Sequence, residues 1–365
     1  MKITVDSKTL QSLLATVGQA LPSNAIIPIM ENYKIEVLQD RIQATATDSN
    51  TTIISYIENT ALETFSFCVG GKLLTTLKSL PQQPLTLTYD YNKSTLTIKT
   101  RTGRYKLPTV DVTDFPDVKQ FEGEAVTLTG EEAVNIFNLH NIASSDALRT
   151  NMNCIFFDAT NNCVASTDAH KLLKVNVESL DKLSNSMLVH KDTCKKLLNL
   201  IKSTDTIELK ASKNKASFKF GNTEVHSTLT DESYPSYNAV IPTETPIYTQ
   251  IDKAALTGSL KRLIPYTSKM TSTIRFTFTE NKLTITAEDL DYGNKAEESI
   301  SVDYNYTNPF EIGFNAKFVL ETVAQFNTDM LTIQFIDKSK PAKIEEDRPD
   351  NNKVGVLMPV MLNYA

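Results

Sequence analysis

Hydrophobic and polar positions alternate along most of this chain, and the alternation gives way to helical spacing six times. "KITVDSKTLQSLLATVGQAL" alternates over Ile3 and Val5. It then sets Leu10, Leu13, Leu14, Val17 and Leu21 on one helical face, with Asp6 or Ser7 as N-cap. The same switch recurs in "TLTGEEAVNIFNLHNIA" and "TQIDKAALTGSLKRLI". It appears again in "FSFCVGGKLLTTLKSL", "SMLVHKDTCKKLLNLI" and "FEIGFNAKFVLETVAQF". The spacing predicts helices over 6–21, 71–80, 129–142, 191–202, 252–264 and 315–327. The remainder is largely short alternating segments broken by Asn, Asp, Gly and Lys, such as "TIELKASKNKASFKFGNTEVHSTL", which predicts antiparallel sheet.

The pattern repeats three times. "QATATDSNTTIISYIE", "CVASTDAHKLLKVNVE" and "LTITAEDLDYGNKAEESIS" place Asp48, Asp168 and Asp289 at 120- and 121-residue intervals. The helix-start lysines Lys72, Lys191 and Lys317 follow in step, 119 and 126 apart. Two landmarks in register predict three homologous α+β domains, 1–122, 123–246 and 247–365, with linkers near 118–124 and 242–248. Each has two helices packed on antiparallel sheets. The period is that of a domain, far above solenoid repeats of roughly 20–50 residues.

Composition narrows the function. With 41% apolar and 22% charged residues the chain reads as an ordinary soluble protein. Its opening, MKITVDSK, lacks the apolar run of a signal peptide, and its longest apolar stretch, Val354–Leu362, is too short to span a bilayer. A cytoplasmic location with no membrane partner is expected. Cys68, Cys154, Cys163 and Cys194 form no CxxC pair and read as buried reduced thiols. No metal site, cofactor or short catalytic motif is expected. Asp168 and His170 share a strand face as an acid–base pair would, but Asp48 and Asp289 recur with no histidine beside them. The repeated Asp therefore reads as a turn or strand-end device, not a catalytic group. A surface-adhesion β-repeat protein would want a signal peptide and would lack three matched lysine-bearing helices.

The net charge of −6 is unevenly spread. The six helical segments hold eleven basic and six acidic residues, so the rest of the chain carries −11. Charged helix surfaces alone account for this. So does an acidic sheet shell around helices that present positive potential to a polyanion.

Six segments in order, "IIPIMENYKIEV", "STDAHKLL", "DESYPSYNAVIP", "AEESISV", "FEIGFNAKFVLETV" and the terminal "VLMPVML", carry a resemblance over the whole chain. It resembles the bacterial DNA polymerase III beta subunit family, the sliding clamps. The resemblance implies a non-catalytic processivity factor: a head-to-tail homodimeric ring whose helices line a hole for double-stranded DNA, bound without sequence preference. It also implies a hydrophobic cleft that receives short motifs from the DNA polymerase III alpha subunit, clamp-loader subunits and other clamp-binding proteins. The matching cleft positions are Met152, Thr167, Ala169, His170, Lys171, Leu172, Pro235, Ala239 and Val240. Asn315, Phe318 and Pro341 form the further wall, and Val356, Leu357, Met358, Pro359, Val360, Met361 and Leu362 complete it. By itself "VLMPVML" reads as a buried terminal strand.

The resemblance places Asn24, Lys72, Arg149, Thr150, Asn151, Lys191 and Lys317 toward DNA. It places Arg101, Arg104, Tyr105, Pro265, Tyr266, Glu297 and Glu298 at the dimer interface. This chain departs from the usual pattern with Ala169 for Gly, Ala239 for a basic residue, Met361 for Arg and Phe318 for Tyr. Asn24 stands for an arginine, and the 150–151 loop lacks aromatics. The cleft is therefore expected to be more apolar and poorer in donors. Asn363, Tyr364 and Ala365 extend past the cleft motif.

Overall fold

The computed structural model describes residues 1–118, 123, 125–348 and 352–362. The 118–124 linker and the three terminal residues fall largely or wholly outside them.

The first repeat comprises β1 (Lys2–Asp6), α1 (Ser7–Val17), β2 (Asn32–Val37), β3 (Arg41–Thr47), β4 (Thr51–Glu58), β5 (Phe65–Gly70), α2 (Lys72–Lys78), β6 (Pro84–Asp90), β7 (Thr95–Lys99) and β8 (Arg104–Val110). The second comprises β9 (Ala125–Thr129), α3 (Gly130–Asn138), β10 (Cys154–Asp158), β11 (Cys163–Thr167), β12 (Lys171–Asn176), β13 (Met187–His190), α4 (Lys191–Leu200), β14 (Thr206–Ala211), β15 (Lys215–Phe220) and β16 (Thr223–Thr228). The third comprises β17 (Ile247–Asp252), α5 (Lys253–Leu263), β18 (Thr273–Thr279), β19 (Lys282–Asp289), β20 (Asn294–Ser301), β21 (Asp303–Tyr304), β22 (Phe310–Asn315), α6 (Ala316–Val323), β23 (Met330–Phe335), β24 (Ala342–Glu346) and β25 (Lys353–Leu357). Apart from the short β21, the element order is the same in all three.

The strand order repeats too. Each repeat forms one sheet in the order β1-β6-β7-β8, β9-β14-β15-β16 or β17-β23-β24-β25. It forms a second as β5-β2-β3-β4, β13-β10-β11-β12 or β22-β18-β19-β20. These small sheets then pair across repeats. β4 pairs antiparallel with β16, with Ile53 opposite Val225, and β12 with β25, with Leu173 opposite Gly355. Through these joints the chain gathers into two compact units. One is Met1–Val134 with Lys195–Leu229, and the other Asn135–Cys194 with Thr230–Ala365. The first holds a 12-stranded sheet, the second a nine-stranded and a four-stranded one.

The apolar periodicity lands where it was expected. α1 buries Leu10, Leu13, Leu14 and Val17, and β18 buries Ile274, Phe276 and Phe278 on alternate positions. Each such side chain contributes about 1.5–3 kcal/mol by leaving water. Asp6, Asp252 and Asn315 cap α1, α5 and α6 by accepting from first-turn N–H groups. The helices are shorter than predicted. α1 gives way to a 3-10 turn at Gly18, where a Cβ would lie 2.6 Å from the buried Tyr33 hydroxyl. α5 stops at Leu263 because Pro265 supplies no N–H.

The repeated aspartates build turns. In the β3–β4 hairpin, Asp48 Oδ1 accepts from the N–H groups of Asn50 (3.0 Å) and Thr51 (2.7 Å), while Thr47 Oγ1 accepts from Ser49 N–H. In β11–β12, Asp168 Oδ1 accepts from His170 (2.9 Å) and Lys171 (2.8 Å), and Thr167 Oγ1 from Ala169 N–H. Ser49 and Ala169 sit at φ 80° and 75°, left-handed backbone that glycine adopts without strain. All four cysteines are buried and free. Among the described residues no helix is long and apolar enough to cross a membrane.

Candidate functional site: an apolar cleft beside β12 and β25

The β12–β25 pairing sets Leu172 opposite Val356, and both are buried in one cluster with Cys163, Ala165 and Tyr237. Above them opens a cavity of about 190 Å³. Of the expected residues, Met152, Thr167, Ala169, His170, Lys171, Leu172, Pro235, Val240, Val356 and Met358 line it. Met358 is 40% and Val240 46% exposed, so the rim is apolar and open to solvent.

The other expected positions lie around or away from the cavity. Phe318 stacks on the His170 ring, with centroids 5.6 Å apart. Asn315 caps α6, and Leu357 is buried. Pro341 precedes Ala342, which pairs with Leu357. Ala239 is exposed beside Val240, and Pro359 is half-buried. Val360 donates to Gly313 O at 2.9 Å, while Met361 and Leu362 line a separate groove over β18 and β19.

Ser236 and Tyr237 line the cavity and were missed. Their only sequence signal was the aromatic pair Tyr234 and Tyr237 in a Pro-bearing connector. Tyr237 is 5% exposed. Its hydroxyl donates to Asp158 Oδ2 at 2.7 Å and lies 3.0 Å from Cys163 Sγ. A carboxylate only accepts, so the Cys163 thiol is the donor to Tyr237. Burial and these two partners push the Tyr237 pKa up. Burial also pushes Asp158 up, but hydrogen bonds from Asn161, Tyr237 and the Asn161 and Thr160 backbones outweigh it. They hold Asp158 below the ordinary carboxylate range.

Lys171, a lysine of the cleft lining, is not free. It is 5% exposed, ion-paired with Asp168 and with Glu321 at 3.1 Å, and lies 4.9 Å over the Phe318 ring. The Asp168 carboxylate is thus committed to its turn and to Lys171, while the His170 ring stacks on Phe318.

The expected DNA-facing residues divide. Asn24, Lys72 and Lys317 are exposed. Lys191 spends its ammonium on Ser144 O and Ser145 Oγ, both at 2.7 Å. Arg149 pairs with Asp146 at 3.4 Å. Thr150 donates to Glu232 and Asn151 to Ser233 O. Of the expected interface residues, Arg101, Arg104, Tyr105, Pro265, Tyr266 and Glu297 are exposed. Glu298 is engaged by Arg262 through two 2.7 Å hydrogen bonds.

A three-fold repeat of paired sheets and helices, with an apolar cleft beside the joint of two repeats, defines the clamp class of fold. Two family models match it in order. The DNA polymerase III beta subunit N-terminal domain covers residues 1–119, and the C-terminal domain of the same subunit covers 238–361. The chain belongs to the DNA polymerase III beta subunit family, the sliding clamps of DNA replication. It is 24% identical over 381 residues to the beta sliding clamp of Caulobacter vibrioides, covering 99% of this chain and 100% of that one. It is 25% identical over 380 residues to that of Rickettsia felis, covering 99% of each. The sliding clamp of Bartonella birtlesii, solved bound to griselimycin, superposes with a TM-score of 0.92. Identity there is 21%, over 99% of this chain and 100% of that one. Clamps of this family are non-catalytic, and the chain shares their sliding-clamp and processivity role.

The buried hydroxyl generates a prediction. Tyr237→Phe removes a donor from an ionised carboxylate and should cost about 1.5–3 kcal/mol at neutral pH. Asp158 is depressed in the folded state, so its contribution is present above the unfolded pKa, about 3.9, and is lost as pH falls through the folded value. Thermal melts should show the gap between wild type and variant closing below about pH 4.

Proposed function

We propose that this chain acts as a head-to-tail homodimer whose three repeats, 1–122, 123–246 and 247–365, are clamp domains. Two copies close a ring around duplex DNA and tether replication proteins through the cleft.

The observation that carries the ring is the repeated joint. Within the chain, the last strand of a second sheet (β4, β12) pairs with the last strand of the next repeat's first sheet (β16, β25). Their counterparts, β20 and β8, remain. β20 ends its sheet, and β8 meets β5 only at Thr109 and Val110. One β20–β8 pairing per junction closes two copies without growing a fibre.

The register carries over. Thr52 faces His226 and Leu172 faces Val356. Matching the hairpins aligns Thr52 and Leu172 with Lys295. Counting through the matched first sheets aligns His226 and Val356 with Lys106. Glu297 then faces Arg104 of the second copy, an opposite-charge pair. The like-charged Lys106 and Lys295 are offset by Glu288, 3.9 Å from Lys295 Nζ.

Exposed Lys72, Lys195 and Lys317 supply weak, sequence-independent phosphate contact. Partners are the DNA polymerase III alpha subunit, clamp-loader subunits and other proteins with clamp-binding motifs.

Arg104→Glu should raise the dimer dissociation constant at least about ten-fold in sedimentation experiments, and adding Glu297→Arg should restore it. Failure of the second change to rescue would place the joint elsewhere.

Because Ala239 offers no side-chain donor and the Lys171 ammonium is already paired with Asp168 and Glu321, peptide binding should rest on apolar burial. A peptide with Gln followed by Leu and Phe anchors should bind, and Met358→Ala should cost about 1–3 kcal/mol in calorimetry. Full affinity after Met358→Ala would exclude this cleft as the receptor.

A further inference from the structure

We propose that the tip of the β19–β20 hairpin, Leu290–Tyr292, docks against helix α2 of a second copy of this chain. The inference rests on the ring reading and adds a second, apolar element to its joint.

At both joints made within the chain, a hairpin tip is held by the helix that follows the next repeat's second-sheet opening strand. The β3–β4 tip is held by α4 through the ion pair of Lys196 with Asp48. The β11–β12 tip is held by α6. There Glu321 meets Lys171 at 3.1 Å, and Phe318 lies under both the His170 ring and the Lys171 ammonium. The two holding residues occupy the same place. The registers Tyr33↔Val69, Ile155↔Val189 and Ile274↔Phe314 align the three strands that lead into the helices. Counting on, Lys196 and Glu321 coincide, and the α2 residue at that position is Thr76.

The third tip differs in kind. The level pairs are Thr47↔Thr52, Thr167↔Leu172 and Glu288↔Lys295, but only β19–β20 adds a further pair, Asp289↔Asn294, beyond them. The hairpin therefore reaches one pair further and turns through Gly293 at φ 67°. Leu290 and Tyr292 are each 74% exposed at that tip.

The chemistry of the two surfaces matches. Where the first two tips present charge, the helix answers with charge. Where the third presents a leucine and a tyrosine, α2 answers with Thr76. The Thr76 hydroxyl is already spent on Lys72 O at 2.9 Å, which leaves its methyl as the free contact. Exposed Lys72, one turn away, supplies a cation for exposed Asp291. Two large apolar side chains on a hairpin tip leave water only if another surface covers them. The repeat assigns that surface to α2 of the neighbouring copy.

The test uses the full chain with Thr76→Cys and Tyr292→Cys together. The native cysteines are all buried, so a short bismaleimide reads the new pair alone. The double variant should crosslink into covalent dimers, and either single variant should give none. Independently, Leu290→Ser with Tyr292→Ser should raise the dimer dissociation constant at least about ten-fold, with an unchanged melting profile. A dimer that persists in sedimentation, fails to crosslink and is indifferent to the serine changes overturns the docking but leaves the ring intact. A wild-type chain that is monomeric at micromolar concentration overturns both.

Discussion

Pairing of exposed strand edges between repeats is the constraint on which this protein depends. A four-stranded sheet leaves unpaired N–H and C=O groups along its outer strands, and such edges seek partners. β4 and β12 find theirs in β16 and β25, strands of the following repeat. The consequences reach the site directly. The ladder that joins β12 to β25 brings Leu172 and Val356 together as the cleft floor. It also sets the Asp168 turn beside α6, where Lys171, Glu321 and Phe318 meet. The cleft is thus a product of the joint between repeats. No single repeat contains it.

Much of this was legible in the chain because it rests on local patterning. The six helices follow from apolar spacing, and the strand pattern from alternation. The repeated Asp reads as a turn because a short carboxylate can satisfy the N–H groups two and three residues on, as Asp48 and Asp168 do. The illegible features depend on distant partners. Nothing in "STDAHKLL" says that Lys171 is buried against Glu321, 150 residues away. Nothing near Tyr237 says that its hydroxyl reaches Asp158 and Cys163. Lys191 matched a DNA-facing position by resemblance, yet its ammonium serves the 144–145 loop. Helix ends were overestimated because the apolar pattern continues into 3-10 turns that the spacing does not distinguish.

The charge distribution fits a clamp better than a conventional DNA-binding protein. In the proposed ring, a chain of net charge −6 whose six predicted helical segments hold eleven basic and six acidic residues would attract a polyanion without gripping it. Each strong phosphate contact would add affinity and salt dependence, and would oppose sliding. In the proposed ring, retention on DNA would come from topology and not from phosphate contacts.

That claim is tested by loading the protein with a bacterial clamp loader onto nicked circular duplex DNA, removing the loader, and following co-elution by gel filtration at raised salt. Retention on the circle, with loss on cutting the same DNA once, is the predicted result. Equal retention on circular and linear DNA, or salt-driven loss from the intact circle, would contradict the account.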